Sequence, residues 1–151
     1  KKKKKLRILG CDAYGEDISE YAIENCHPAV KKYVSHPNNK VYDLLICKDV
    51  LEHIDEVNIP DVLEKFLRKS NQFFFTIPLG DNDRFRIREY EVDVTHVTKK
   101  DEEWWINMFE RNGFKLKEFR YNLGSIKEKW MPEHPYGNGF FILESVNDNT
   151  R

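Results

Sequence analysis

The stretch VYDLLIC, residues 41–47, is an almost unbroken run of apolar side chains, and NQFFFTI, residues 71–77, is a second strand-like run. Runs of this kind are typical of strands that are covered on both faces of a parallel sheet. Between the two runs, apolar residues recur at the three- and four-residue spacing of an amphipathic helix. These residues are Ile59, Val62, Leu63, Phe66 and Leu67. The order strand, helix, strand predicts a β-α-β unit with a right-handed crossover.

The segment that follows residue 98 predicts one more helix. Trp105 and Phe109 share one side of it, and Gly113 is suited to end it, because glycine readily adopts the left-handed C′ conformation. Thr98 and Asp101 together resemble a capping box, so Thr98 is the predicted N-cap.

Two further strands complete the predicted sheet. Residues 114–119 alternate between apolar and polar side chains, as in a half-exposed strand, and residues 139–146 form the last apolar run. The connection, residues 122–138, contains two prolines and two glycines and can return the chain antiparallel along the edge of the sheet. We therefore predict an α/β fold with a mostly parallel sheet, helices on both faces and an antiparallel C-terminal edge strand.

The N-terminal stretch ILGCDAYGEDIS contains two strand-like endings close together. Residues 8–10 are predicted to close one strand, residues 13–17 a second, and Ser19 is predicted to open a helix. Parallel neighbours need a connection of about a dozen residues, but only Cys11 and Asp12 separate these two. Either the protein lacks the loop and helix that would join two parallel strands, or such segments lie between Cys11 and Asp12 in the molecule.

The composition is that of a globular protein, with 40% hydrophobic and 34% charged residues in a chain of 151. We predict one domain over residues 1–151, with residues 1–5 as a disordered basic terminus. The net charge of −1 does not attract a phosphate backbone, so no nucleic-acid partner is expected. No apolar run approaches the ~18 residues of a membrane span, and no membrane partner is expected either.

Cysteines and histidines give little support for metal or disulfide chemistry. Cys11, Cys26 and Cys47 have no C-x-x-C spacing, which favours reduced thiols and a cytoplasmic location. The five histidines never take an i, i+4 or H-x-H spacing, so the sequence predicts no metal site.

Four segments, in this order, resemble the class I S-adenosylmethionine-dependent methyltransferases, and the resemblance extends over about residues 6–146. The segments are YGEDISEYAIENC, YDLLICKDVLEHI, FFFTIPLG and VTHVTKKDEEWWINMFERNGFKL. The resemblance implies a Rossmann-like fold, with S-adenosylmethionine bound at the carboxyl ends of the strands. The last segment resembles a branch that often methylates sugars or small metabolites. The resemblance departs from the family in two places, since ILGC alone represents the glycine-rich loop and residues 34–41 lack an acidic residue after the third strand.

Four residues are candidates for cofactor binding by this resemblance. Asp17 would accept hydrogen bonds from the ribose hydroxyls, Ile18 would line the adenine, and Gly10 would represent the glycine turn. Asp49 would stand near the methionine end of the cofactor or the acceptor. The alternative for Asp17 is a helix-entry acid beside the N-cap Ser19, and the alternative for Asp49 is an N-cap of the turn at residues 50–53.

His96 is the first candidate for a catalytic base, because an imidazole titrates near neutrality and can take a proton from a hydroxyl acceptor. A structural histidine that bonds the backbone near Thr98 is the alternative. Three arginines at alternating positions, Arg84, Arg86 and Arg88, would share one face of an extended segment. They would suit a phosphate or carboxylate on the acceptor, or form a solvated strand edge.

The sequence thus predicts an S-adenosylmethionine-dependent methyltransferase whose partner is a small-molecule, sugar-like substrate. The alternative is a degenerate, non-catalytic Rossmann-like module for binding or assembly that has lost its cofactor. Methyl transfer from a sulfonium is an in-line displacement, so most of the catalysis can come from positioning the acceptor and excluding water.

Overall fold

Residues 6–8 are helical in the computed structural model, which describes residues 6–146. The Cys11 N–H donates to the Leu6 carbonyl and the Gly10 N–H to the Arg7 carbonyl, both at 3.0 Å, and Gly10 has φ 84°. This pair of bonds is the Schellman ending of a helix, in which glycine occupies the left-handed C′ position. The strand predicted at residues 8–10 is therefore wrong, because so short an apolar run does not distinguish a strand from a last helical turn. The predicted basic terminus, residues 1–5, lies outside the described residues.

The chain divides after Lys40 into two compact units. In the first unit, strand β1 (Gly15–Glu16), helix α1 (Glu20–Glu24), a 3₁₀ helix (Pro28–Tyr33) and strand β2 (Val34–Ser35) follow in order. β1 and β2 pair in parallel, and the two helices between them provide the crossover that parallel strands need. The Cys11–Asp12 connection joins a helix to a strand, so the conflict raised by the sequence does not arise.

The second unit contains the predicted β-α-β unit and the C-terminal strands. Its regular elements are β3 (Leu45–Lys48), α2 (Ile59–Leu67), β4 (Gln72–Pro78), β5 (Gly80–Asp81), β6 (Arg84–Phe85), α3 (Arg88–Glu91), α4 (Glu102–Arg111), β7 (Phe114–Arg120) and β8 (Asn138–Ser145). Short 3₁₀ helices lie at Leu51–His53, Glu56–Asn58 and Glu128–Trp130. The main sheet has the strand order β3-β4-β8-β7, with β3 and β4 parallel and β8 antiparallel to both its neighbours. The prediction of a mixed α/β, Rossmann-like fold is confirmed.

The C-terminal strand β8 is antiparallel, as predicted, but it lies between β4 and β7 and does not form the edge. The burial of its side chains explains this interior position in the sheet. Phe140, Phe141 and Leu143 are all buried, which suits an interior strand. In β7 only Phe114 is buried and the other residues are partly or fully exposed, which suits an edge.

One face of the sheet holds most of the core. Phe73 and Phe75 point to this face. The centroid of the Phe75 ring lies 5.8 Å from that of Phe66 in α2 and 5.4 Å from that of Phe109 in α4. The fully buried apolar side chains around them are Leu51, Ile59, Leu63, Leu79, Trp105 and Phe141. Both α2 and α4 therefore pack on the face formed by alternate residues of β4.

Two predicted boundaries change. β3 begins at Leu45 and not at residue 41, and Ile46 on this edge strand is 47% exposed, so the strand is not covered on both faces. α4 is capped by Asp101, whose carboxylate accepts the Trp104 N–H at 2.8 Å. Thr98 is instead buried and donates its hydroxyl to the Ile54 carbonyl at 2.7 Å.

Among the residues that the structure describes, no helix is long and apolar enough to cross a membrane.

Candidate active site

The carboxyl ends of β3 and β4 meet at one edge of the sheet, because the two strands are parallel. Asp49 follows β3 directly, in the left-handed conformation with φ 53°. Its N–H donates to the Thr76 carbonyl at 3.0 Å, and the Thr76 hydroxyl donates to its carboxylate at 3.3 Å. Asn138, the first residue of β8, pairs with Pro78 at the same edge. In open α/β sheets this edge is where ligands bind.

Two lysines hold the Asp49 carboxylate. Lys127 Nζ lies 2.5 Å from Asp49 Oδ1, and Lys48 pairs with the other oxygen. The Lys127 side chain is 8% exposed, and its Nζ also donates to Asn138 Oδ1 at 2.6 Å and to the Tyr90 hydroxyl at 3.2 Å. Burial lowers the pKa of Lys127, and the charge of Asp49 opposes this change. Asp49 is thus an ion-pair anchor and makes no side-chain cap on the turn at Leu51–His53.

Glu52 lies on that turn and is completely buried. Neither of its carboxylate oxygens has a hydrogen-bond partner among residues 6–146, which is uncommon for a buried polar group. Burial raises the pKa of the Glu52 carboxyl to about 7, and the negative charge of Asp49 acts in the same direction. The Glu52 carbonyl accepts the N–H groups of Val97 and Thr98 at 2.9 and 3.0 Å, which fixes the loop that carries His96 beside this turn.

His53 and His96 lie next to each other, with ring centroids 4.5 Å apart. His96 Nδ1 lies 2.8 Å from the Tyr90 carbonyl, and His53 Nδ1 lies 3.2 Å from the Thr95 carbonyl. A carbonyl only accepts, so Nδ1 carries the hydrogen in the neutral form of each ring, and Nε2 then presents a lone pair. Three potential ligand atoms, one from each of Glu52, His53 and His96, lie within 4.8 Å of one another. The histidine spacings in the sequence did not predict this group, because the loop of residues 79–97 brings two distant histidines together.

The sequence-predicted cofactor residues of the first unit lie before and after β1 in the sequence. Asp17 follows β1 directly, and its carboxylate accepts the Ser19 N–H at 3.0 Å. Ser19 caps α1, since its hydroxyl oxygen accepts the Ala22 N–H at 3.2 Å. Asp17 therefore acts as an acid at the entry of this helix, the alternative considered for it from the sequence. Ile18 is 86% exposed. Gly10 occupies the C′ position of the preceding helix, which accounts for a glycine there.

The three arginines do not share one face. Arg84 belongs to β6 and Arg88 begins α3, so the segment is not extended throughout. Arg86 is held by Asp81 through two bonds of 2.7 and 2.8 Å and by Glu102 at 2.7 Å. The cleft that these arginines line, of about 450 Å³, also contains His134 and Glu91. Arg86 therefore belongs to an ion-pair network within the protein, formed with Asp81 and Glu102.

Comparison with known proteins places this arrangement in a family. A family profile described as a methyltransferase domain matches residues 4–118. A SAM-dependent methyltransferase from Archaeoglobus fulgidus has a similar fold, with a TM-score of 0.66, 14% identity, and coverage of 94% of this chain and 80% of that one. Magnesium protoporphyrin IX methyltransferase from Synechocystis PCC 6803, solved with bound SAH, gives 0.67 at 14% identity, over 95% of this chain and 68% of that one.

The fold alone does not fix the chemistry. The [4+2]-cyclase SpnF also has a similar fold, with a TM-score of 0.62 at 10% identity, over 93% of this chain and 70% of that one. No protein of curated function matches the sequence at a significant level. The profile match covers most of the chain and decides the assignment. The chain belongs to the methyltransferase domain family and is a methyltransferase.

Proposed function

We propose that the protein methylates a hydroxyl group of a small, sugar-like molecule. The observation that carries this proposal is the His96 Nε2 lone pair, which lies beside a buried carboxylate and a second imidazole. This group follows the carboxyl end of β3, the edge at which α/β proteins bind ligands. A hydroxyl acceptor is the kind that needs a base, and a neutral imidazole is suited to that role at pH 7.

The first unit offers residues that fit the cofactor. Asp17 is an exposed carboxylate directly after β1, and one of its oxygens is used by the Ser19 N–H, which leaves acceptor capacity for ribose hydroxyls. The adjacent Ile18 side chain is almost fully exposed, as expected of an apolar residue that covers an adenine ring. Asp17 and Ile18 are the proposed ribose and adenine contacts. The proposed contact of Gly10 and that of Asp49 at the methionine end remain predictions from the family resemblance.

S-adenosylmethionine supplies an electrophilic methyl group on a sulfonium. On the acceptor side, His96 Nε2 would take the proton of the hydroxyl that receives this methyl group, and its ring would become an imidazolium. The Tyr90 carbonyl holds Nδ1–H and so keeps the lone pair on Nε2. Glu52, when ionised, stabilises the imidazolium through its charge.

A small-molecule acceptor is favoured over a nucleic acid because the chain has a net charge of −1. Nucleic-acid binding depends on neutralising phosphates with clustered cations. The lysine most deeply placed at this edge, Lys127, is already paired with Asp49.

The test is transfer of a labelled methyl group from S-adenosylmethionine to a panel of hydroxylated sugars and small metabolites. We expect label on a hydroxyl oxygen, and we expect His96→Asn to lower kcat by about 10²-fold or more, the usual contribution of a general base. His134→Asn is the matched control, and its activity should equal that of the wild type. Label on nitrogen or carbon acceptors only, or an unchanged rate in His96→Asn, would overturn the proposal.

A further inference from the structure

Three side chains at the carboxyl edge of β3 form a group that we name the His–Glu cluster: Glu52, His53 and His96. One nitrogen or oxygen atom from each lies within 4.8 Å of the other two. The methyl-transfer proposal uses the lone pair of His96 and the charge of Glu52, and it gives no role to His53. It leaves unexplained why a carboxylate is buried between two imidazoles without a hydrogen bond.

The carboxylate of Glu52 is the strongest sign of a missing partner. It is completely buried, and neither of its oxygens has a hydrogen-bond partner within the described part of the chain. The nearby ammonium group of Lys127 does not serve it, since its donors go to Asp49, Asn138 and Tyr90. A buried carboxylate is normally paired or coordinates a metal ion.

Both imidazoles are oriented as metal ligands are. Metal-bound histidines usually donate their other ring N–H to a carbonyl or carboxylate, which fixes the ring and leaves a lone pair for the ion. His96 and His53 do this through Nδ1, to the carbonyls of Tyr90 and Thr95. The Thr95 hydroxyl donates to Asp93 at 2.6 Å, so it can accept from His53 Nδ1 at 3.0 Å and add to that support.

In the part of the chain that the structure describes, a carboxylate lies near each of these lone pairs, outside hydrogen-bond distance. His96 Nε2 lies 3.7 Å from Asp93 Oδ2, and His53 Nε2 lies 4.0 Å from Glu52 Oε1. Both separations exceed a hydrogen bond. A cation between the three groups would satisfy the two imidazoles and the carboxylate together.

We propose that the His–Glu cluster binds one divalent transition-metal ion, with Zn²⁺ as the representative of its class. Two imidazoles and one carboxylate are ligands of Zn²⁺ and Fe²⁺, whereas Mg²⁺ and Ca²⁺ prefer oxygen. Zinc–ligand bonds of about 2.0–2.2 Å require closer spacing than 4.8 Å. We therefore expect the His53 ring, which is 36% exposed, to move toward Glu52 on binding. Three protein ligands leave a fourth position for an oxygen of water or substrate.

The ion and the proton compete for the same lone pair of His96. If the ion binds, Lewis acidity at the fourth position replaces His96 as the means of activating a hydroxyl. Binding of the ion needs neither cofactor nor acceptor, so it can be measured separately from methyl transfer. Failure to bind the ion would leave the proposed role of His96 as a base intact.

The experiment is calorimetric titration of Zn²⁺ into the full chain after removal of metal with a chelator, followed by Co²⁺ with visible spectroscopy. We expect one ion per chain and a visible absorption spectrum typical of four-coordinate Co²⁺. Glu52→Gln, His53→Ala and His96→Ala should each weaken Zn²⁺ binding at least tenfold. His36→Ala, at an exposed histidine of the first unit, should not change it.

Two further measurements distinguish loss of the metal ligand from misfolding of a variant. Glu52→Gln keeps the shape of the side chain, and His53 is the more exposed imidazole, so these two variants should keep the circular dichroism of the wild type even if His96→Ala does not. Zn²⁺ should raise the Tm of the wild type and leave that of Glu52→Gln unchanged. The proposal is overturned if the wild type binds no stoichiometric ion, or if Glu52→Gln and His53→Ala bind Zn²⁺ as tightly as the wild type.

Discussion

Lys127 Nζ lies 2.5 Å from Asp49 Oδ1, and both residues have left-handed backbones, with φ 58° and 53°. Lys127 belongs to the connection between β7 and β8, whereas Asp49 follows β3. Their ion pair therefore ties a long irregular segment to the carboxyl edge of the sheet. Because Lys127 also donates to Asn138, the same ammonium group fixes the first residue of β8.

Removing this ammonium group should destabilise the protein. Lys127→Met leaves the buried Asn138 oxygen with the Tyr90 hydroxyl at 3.3 Å. It leaves Asp49 with Lys48 and with the Thr76 hydroxyl at 3.3 Å. We expect the free energy of unfolding to fall by about 1–3 kcal/mol, the cost of unpaired buried polar groups. Urea denaturation measures this loss, and Lys65→Met on the exposed side of α2 is the control. Equal stabilities of the two variants would show that the ion pair contributes nothing.

The Arg86 network predicts a dependence of stability on pH. The bonds from Arg86 lower the pKa of Asp81. Burial raises the pKa of Glu102, but bonds from Tyr121 and Arg86 outweigh it and leave that pKa lowered. A carboxyl whose pKa is lower in the folded state stabilises the fold above its unfolded pKa, and this stabilisation is lost as the pH falls through the folded pKa.

The variant Arg86→Gln should show this directly. At pH 7 we expect it to be about 1–2 kcal/mol less stable than the wild type, because charge-assisted hydrogen bonds are lost. The difference should shrink once the pH falls below the ordinary values of 3.8 and 4.5 for these carboxyls. Urea denaturation at pH 7 and pH 3 measures it, with Arg111→Gln as the exposed control. A difference that is the same at both pH values would contradict the network's role.

The β-α-β unit of residues 41–78 could be predicted from the sequence because its helix is long enough for the apolar spacing to repeat. The strand predicted at residues 8–10 was wrong because three residues carry no period. The cap of α4 was misplaced by three residues. Thr98 has the right side chain for a cap, but its N–H is taken by the Glu52 carbonyl, a long-range bond that local sequence does not encode.

The candidate site was predictable only in part. Asp17 follows β1 in the first unit, and Asp49 follows β3 in the second; their contacts with a cofactor stay predictions from the family resemblance. The partners that define their chemistry come from elsewhere: Lys127 reaches Asp49 from the β7–β8 connection. His53 meets His96 only because the Glu52 carbonyl holds the Val97 and Thr98 N–H groups. Such contacts depend on loop conformations that no sequence period predicts.

The most direct test of the account is calorimetric titration of S-adenosylhomocysteine into the full chain, the variant Asp17→Asn and the variant Glu24→Gln. We predict a micromolar Kd for the wild type, about −8 kcal/mol. Asp17→Asn, which can still accept the Ser19 N–H, should bind more weakly by about 1.5–3 kcal/mol. Glu24→Gln, at an exposed residue of α1, should bind like the wild type. No binding to the wild type would contradict the account and favour a non-catalytic module, and equal binding to all three would show that Asp17 does not hold the ribose.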